Sequence, residues 1–216
     1  MRCVVFDLDG TLADTSADLL AAANACLPRA CLGPQDALTA FHGGRAMLRL
    51  GFARLGMEWS ETDVDAAYPR LLEAYGAAIA VHTRLYPGAM EAVEALKSAG
   101  IAVSICTNKP EGLAEGLLQA LGVRGAFGAL IGADTLPVRK PDAAPYRAAV
   151  ERAGGVVSRS MLVGDTETDA KTGVAAGVPV ALVTFGPEGA GVSRFQPAAL
   201  LDRFEDLPAL AGHLLV

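Results

Sequence analysis

Five short apolar runs, Cys3–Phe6, Ala102–Cys106, Ala129–Ile131, Met161–Val163 and Val180–Val183, alternate with helix-patterned stretches over most of the chain. The runs are aliphatic or β-branched with no polar alternation, the pattern of strands buried on both faces. Between them, Pro87–Ala99 carries Ala89, Met90, Val93 and Leu96 at helical spacing and stops at Gly100. Glu111–Leu121 stops at Gly122, Ala143–Ala153 at Gly154 and Asp169–Ala176 at Gly177, each glycine being a helix-stop signal. Strand and helix in repeated alternation predict βαβ units around a parallel sheet, an α/β, Rossmann-like core.

One segment breaks that rhythm. From Thr15 to Arg84 the chain is rich in alanine and leucine, has no strand-like run, and is punctuated at Pro28, Gly33-Pro34, Gly43-Gly44 and Ser60. Such a segment predicts several short helices packed as a small bundle. The expected organisation is a core of residues 1–14 and 85–216 with a helical insertion at 15–84. Residues 186–197, "GPEGAGVSRFQP", read as a loop.

Bulk properties narrow the partners. Hydrophobic residues make up 52% of the chain and charged residues 19%, enough to build a core and too apolar for disorder. Net charge is −6 with no run of lysine or arginine, against a nucleic-acid footprint. An anionic substrate would need a local cluster of positive charge. No apolar run approaches the ~20 residues that span a bilayer. The first strand starts at once, leaving no room for a signal peptide. Cys3, Cys26, Cys31 and Cys106 form no CxxC pair, and Cys3 and Cys106 sit inside apolar runs. Free thiols in a reducing, cytoplasmic setting are expected.

The chemistry is concentrated at strand ends. "CVVFDLDGTLADTS" sets Asp7 and Asp9 two positions apart where the first strand gives way to Gly10. Two such carboxylates repel unless a cation or shared proton relieves them, whereas an Asp-Gly turn or a helix cap needs one aspartate at most. "ICTNKP" presents Thr107, Asn108 and Lys109 after the second strand, "VGDTETD" presents Asp165 and Asp169 after the fourth, and Lys140 precedes Pro141. In an open parallel sheet ligands bind beyond the carboxyl ends of strands, so these groups are expected at one edge. Three carboxylates suit Mg²⁺, a hard cation taking oxygen ligands. A carboxylate can attack phosphorus, with a second acid serving the leaving alcohol and then the water. Thr107, Asn108 and Lys140 are the types that would hold phosphoryl oxygens. Lys109 is read as a surface residue beside the site.

These motifs resemble those of the haloacid dehalogenase-like phosphohydrolases, and the likeness covers essentially the whole chain. "FDLDGT" is similar to their DxDGT motif, "CTNK" to the Thr/Ser motif, Lys140 in "RKPDAAPY" to the lysine motif, and "VGDTETD" to GDxxxD. The resemblance implies Asp7 as nucleophile and Asp9 as general acid/base. It also implies Mg²⁺ held by Asp7, the Asp9 carbonyl and Asp165, with Asp169 steadying the metal or Lys140. Thr166 stands where many relatives have serine, with little consequence expected. The insertion looks like the family's small helical cap. Its segment "FHGGRAMLRLGFARLG" resembles the cap loop of the phosphoglycolate phosphatase-like subgroup. Gly43 and Gly44 would let backbone approach a substrate, and Arg45 would pair with a substrate carboxylate.

The implied function is a Mg²⁺-dependent phosphomonoesterase acting through an aspartyl-phosphate on a small phosphorylated metabolite, 2-phosphoglycolate first. A phosphosugar phosphatase or mutase shares every core motif, and a non-catalytic phosphate-binding regulator is the alternative outside enzymes. Dehalogenases of the family lack the second aspartate, which is present here as Asp9. A phosphonatase would carry a cap lysine, and residues 15–84 contain none. Monomer and homodimer both remain open. Trp59 and Tyr68 are read as core of the helical segment, and Glu167 and Lys171, four apart, as a solvated pair.

Overall fold

The computed structural model describes residues 1–215. In chain order the elements are β1 (Cys3–Phe6), β2 (Ala13–Asp14), α1 (Ser16–Ala25), α2 (Ala37–Phe41), α3 (Gly44–Arg54), α4 (Glu61–Ala77), β3 (Arg84–Leu85), α5 (Ala89–Ser98), β4 (Ala102–Cys106), α6 (Glu111–Ala120), β5 (Ala129–Ile131), α7 (Ala143–Arg152), β6 (Ser160–Gly164), α8 (Glu167–Ala176), β7 (Val180–Val183), β8 (Ala199–Leu201) and α9 (Leu207–Leu214). The chain divides into two compact units, Met1–Ala13 with Leu85–Val216, and Asp14–Arg84.

The first unit is built on a six-stranded sheet in the order β5-β4-β1-β6-β7-β8, with every neighbouring pair parallel. All four residues of β1, all five of β6 and all four of β7 are buried, as strands covered on both faces require. Cys3, Val5, Cys106, Ile131, Tyr146, Val150, Leu162 and Leu182 pack in one apolar cluster with the buried face of α7. From β1 the chain builds outward through β4 and β5, then returns to the other side of β1 and builds outward through β6, β7 and β8. The direction reverses between β1 and β6. Such a switch point opens a crevice beyond the strands' carboxyl ends.

The second unit is helical, α1 packing on α2, α3 and α4, and α3 on α4. Its interior holds Leu20, Ala23, Met47, Leu48, Val64, Leu71 and Tyr75. At the junction of α2 and α3, Gly43 takes φ +96° as the residue that caps α3. A side chain on Gly44 would run into Tyr68 and Leu71, so the second glycine is needed for α3 to pack on α4. Trp59 does not lie in this core. It is 36% exposed, with its ring 6.4 Å from that of Phe52, because it sits in the polar connection "MEWSE" ahead of α4. Tyr68 is half-buried.

Four of the five expected strands have the expected bounds, and β6 gains a residue at each end. The last strand and helix, β8 and α9, have no counterpart in the sequence expectations, and residues 189–195 of the expected loop form a 3₁₀ run. The four cysteines are free thiols, Cys3 and Cys106 buried and the other two half-buried. Burial pushes the Cys3 thiol up to about 11 and that of Cys106 up to about 12, which keeps them unreactive. Among the described residues no helix is long and apolar enough to cross a membrane.

Candidate active site

Two adjacent strands deliver the central carboxylates. β1 ends at Phe6, and the Asp7 N–H donates to the Val163 carbonyl of β6 (2.9 Å), so Asp7 is still pinned to the sheet as the chain leaves it. β6 ends at Gly164, one residue before Asp165. The strands are in register, Phe6 opposite Val163, and both aspartates emerge at the switch point. Between them the chain turns at Gly10, φ +82°, where any side chain would collide with the Asp165 carboxylate. Gly10 is thus required twice, for its backbone conformation and for the space it leaves.

One oxygen from each of Asp7, Asp165 and Asp169 falls within a sphere of mutual distances no larger than 4.8 Å. The three are not equivalent. Asp169 Oδ1 accepts from Lys140 Nζ at 2.7 Å, and its Oδ2 accepts from Thr166 Oγ1 (2.7 Å), the Thr166 N–H (3.1 Å) and the Asp165 N–H (3.3 Å). It is also the third residue of α8 and closes a reciprocal cap with Thr166. Both of its oxygens are in use. Asp165, by contrast, has Oδ1 bonded to Thr11 Oγ1 at 2.8 Å while Oδ2 is buried without a hydrogen bond. Asp7 Oδ1 is 3.0 Å from Lys140 Nζ but outside hydrogen-bond geometry.

The electrostatics match. Burial raises the Asp7 carboxyl to about 6 against the pull of Lys140, with Asp169 and Asp9 pushing it further up. Burial also lifts Asp165 well above the ordinary range, reinforced by the charges of Asp7 and Asp169. Desolvation works against the Lys140 ammonium, but Asp169 and Asp7 outweigh it and hold the group above its ordinary range. Four carboxylates (Asp7, Asp9, Asp165, Asp169) meet two buried lysines, a deficit of two positive charges. A divalent cation fits that deficit, the unpartnered Asp165 Oδ2 and the all-oxygen donor set.

The remaining expected residues divide. Thr107, 3% exposed, follows β4, and its N–H donates to the Ile131 carbonyl at 2.9 Å. Asn108 is exposed, and its Nδ2 donates to the Lys140 carbonyl at 3.0 Å. That bond ties the segment after β4 to the segment bearing Lys140, before the cis Lys140–Pro141 bond. Lys109 is not the surface residue expected. Its side chain is 5% exposed and Nζ lies 2.8 Å from Asp9 Oδ1. The misreading has a physical source, since lysine is almost never fully buried unless paired, and the pairing joins residues 100 apart in sequence. The isolated positive charge required beside so many carboxylates was the available signal. Thr11, which fixes Asp165, was visible only as part of a motif.

In the helical unit, Arg45 Nε donates to Asp65 Oδ1 at 2.9 Å and its guanidinium stacks 3.9 Å from the Tyr68 ring centre. Gly43 is exposed with open space around it. Glu167 and Lys171 form an exposed pair at 3.0 Å, as expected.

Comparison with known proteins identifies the family. Residues 1–177 match the haloacid dehalogenase-like hydrolase family. A phosphoglycolate phosphatase of Agrobacterium fabrum is 41% identical over 98% of this chain and 93% of its own length. One from Mesorhizobium japonicum is 38% identical over 99% and 96%. Among solved structures, a "predicted phosphoglycolate phosphatase" from Haemophilus somnus superposes with TM-score 0.84 at 25% identity, covering 97% of each chain. A predicted phosphatase from Clostridium acetobutylicum shares the fold at TM-score 0.82 and 20% identity, covering 99% of each chain. The chain belongs to the haloacid dehalogenase-like hydrolases.

Proposed function

We propose that the protein is a Mg²⁺-dependent phosphatase that hydrolyses a small phosphomonoester, 2-phosphoglycolate first, through a phosphorylated Asp7. The observation that carries this reading is the pair of unequally satisfied carboxylates at the β1/β6 switch point, with Lys140 3.0 Å from Asp7. The substrate follows from relatives named phosphoglycolate phosphatase at 38–41% identity over nearly the full length.

Asp7 supplies the nucleophile. Its oxygen forms a bond to phosphorus while the bond from phosphorus to the leaving oxygen breaks, and Asp9 gives that oxygen its proton. Water then attacks the aspartyl-phosphate, the Asp7–phosphorus bond breaks, and Asp9 takes the water's proton. Lys140 holds Asp7 in place and, with the Thr107 hydroxyl and Asn108 amide, offers positive and donor groups to the phosphoryl oxygens. Asp169 keeps Lys140 in position from the other side. A divalent cation held by Asp7, Asp165 and the Asp9 carbonyl would neutralise charge on the phosphoryl group. The helical unit, on this reading, acts as a cap that excludes water during the first step, and Arg45 exchanges Asp65 for the substrate carboxylate. The free thiols accord with a cytoplasmic enzyme.

The test is phosphate release from 2-phosphoglycolate and from a panel of sugar phosphates, with Mg²⁺ and with EDTA. Preference for 2-phosphoglycolate supports the reading, and undiminished release in EDTA would refute the metal assignment. Preference for a phosphosugar, or conversion of one isomer to another without net phosphate, would move the protein to a sugar phosphatase or mutase.

A further inference from the structure

Lys109 has no part in the reaction as described, yet it is the second buried lysine of the core unit's site. Its backbone is tied on both sides: the N–H donates to Thr107 Oγ1 at 3.2 Å, and the carbonyl accepts from the Ala133 N–H at 2.9 Å. From that fixed base the side chain reaches to Asp9 Oδ1, 2.8 Å away, with 5% of it exposed. Lys140 is committed elsewhere, to Asp7 and Asp169. The two ammonium groups therefore divide the carboxylates between them, one for each aspartate of the β1 pair.

Asp9 needs such a partner more than Asp7 does. Asp7 is pinned to the sheet through its own N–H, whereas Asp9 lies beyond β1, in an isolated bridge with Ala13 and next to Gly10 in its left-handed conformation. A side chain there has rotamer freedom that the backbone does not remove, and proton transfer demands placement within hydrogen-bond reach of the reacting oxygen. We propose that Lys109 is the positioning residue for Asp9, holding its carboxyl in the orientation from which it exchanges a proton with the leaving oxygen and then with water. The inference rests on the reading of Asp9 as general acid/base. In this assignment Lys109 acts through Asp9 and not on the phosphoryl group.

A residue that acts through the general acid has a signature that a structural residue lacks: its loss is felt in proportion to how badly the leaving group needs a proton. Phenyl phosphate has a poor leaving group and dinitrophenyl phosphate a good one, and neither carries a carboxylate. Release of the first equivalent of phenol or dinitrophenol, measured by rapid mixing of the Mg²⁺-loaded enzyme, isolates the first step. In Lys109→Met, first-turnover release from phenyl phosphate should slow by roughly 30- to 100-fold, the scale of a misplaced or lost proton donor. Release from dinitrophenyl phosphate should slow by no more than about 3-fold, because that leaving group departs without the proton. Lys109→Arg should recover part of the phenyl phosphate rate, and KM should stay put for both. Lys109→Gln gives the same comparison if the methionine variant does not fold.

Equal slowing on both substrates, or none on either, would overturn the proposal. So would a loss confined to KM for 2-phosphoglycolate, which would make Lys109 a substrate-carboxylate ligand instead. Asp9→Asn run in parallel separates the two layers of argument. If it shows the leaving-group dependence and Lys109→Met does not, the inference about Lys109 fails and the role of Asp9 stands. If Asp9→Asn shows none, the role of Asp9 falls and takes the inference with it.

Discussion

In the helical unit, Asp36 accepts from both terminal nitrogens of Arg54, at 2.6 and 2.8 Å, and from the Gly33 N–H at 2.9 Å. The Arg54 hydrogen bonds hold its carboxyl below the ordinary range. Glu61 is lowered by Arg49, and Asp63 by the Ser60 hydroxyl and N–H. In the core unit, Asp7 and Asp165 are displaced the other way, by burial first and then by neighbouring carboxylates, Asp169 and Asp9 for Asp7, Asp7 and Asp169 for Asp165. The same functional group is thus used in two ways. Where every oxygen meets a donor, the carboxylate stabilises its surroundings. Where burial removes water without supplying partners, the fold is loaded with repulsion that a bound cation or a proton relieves, and perturbed groups of this kind gather at functional sites. Substitutions at the two kinds of aspartate should therefore separate stability from activity in opposite directions.

The largest contrast is expected at Asp7. On the proposed role of Asp7 as nucleophile, Asp7→Asn should cut turnover of any phosphomonoester by at least about 10⁴-fold, with no phosphorylated protein detectable by mass spectrometry. The metal-free variant should nevertheless melt at higher temperature than metal-free wild type, by about 1–2 kcal/mol at pH 7.5, since a buried charge and its repulsion are gone. The sign with pH follows. The folded-state value of about 6 lies above the ordinary 3.8, so the folded protein binds a proton that the unfolded chain does not. Metal-free wild type gains stability as pH falls through about 6, and the gap to the variant should close. A variant less stable than wild type at pH 7.5 would break the comparison.

Cation binding should supply the next effect. Mg²⁺ at about a hundred times its dissociation constant should raise the stability of wild type by ~2.7 kcal/mol, read as a thermal shift. Asp165→Ala should abolish that shift. Asp169→Asn should keep part of it, because both Asp169 oxygens already serve Lys140 and the α8 cap. Equal loss from both variants would mean that Asp169 is itself a ligand.

Much of this division was legible in the sequence. Paired aspartates after a fully apolar strand are an anomaly that propensity does not explain, and βαβ alternation says which end of the sheet receives them. Buried parallel strands announce themselves by unbroken apolar runs, so β1, β4, β5 and β7 could be bounded to the residue. β8 could not, since Leu200 is exposed and Ala199 half-buried on this edge strand, and three residues of mixed exposure carry no period. Lys109 and Trp59 were misread for one reason. Burial of a single side chain depends on who meets it across the fold, Asp9 in the first case and too few neighbours in the second. Local pattern holds no record of that.

Asp18 tests whether a buried carboxylate in the helical unit belongs wholly to the stabilising kind. It lies in the first turn of α1, 4% exposed, and accepts from the His82 and Thr83 N–H groups at 2.9–3.0 Å and from Thr83 Oγ1 at 2.8 Å. Asp18 thereby fastens the end of the unit to its beginning. An amide in its place turns one acceptor into a donor facing other donors, so Asp18→Asn should cost about 2–3 kcal/mol. The first-turnover rate with dinitrophenyl phosphate, which needs the core unit's carboxylates, should change far less than the melting temperature. A stability loss too small to measure would show that the bonds are redundant.

Asp36 gives the smallest effect and the sharpest test of sign. Arg54 is about a third exposed, so solvent screens the pair, and Asp36→Asn should cost only ~1 kcal/mol at pH 7. The folded-state carboxyl lies below its ordinary value because of Arg54. Its contribution is therefore complete above the ordinary carboxylate range and is lost as pH falls through the lowered folded value. Melting curves of wild type and Asp36→Asn should run parallel from pH 8 to 5 and converge as the solution is acidified further. This is the reverse of Asp7→Asn, whose difference from metal-free wild type should already shrink near pH 6. If both differences closed over the same pH interval, the two aspartates would not be in the opposed electrostatic states described, and the division of labour between the units would fail at its simplest point.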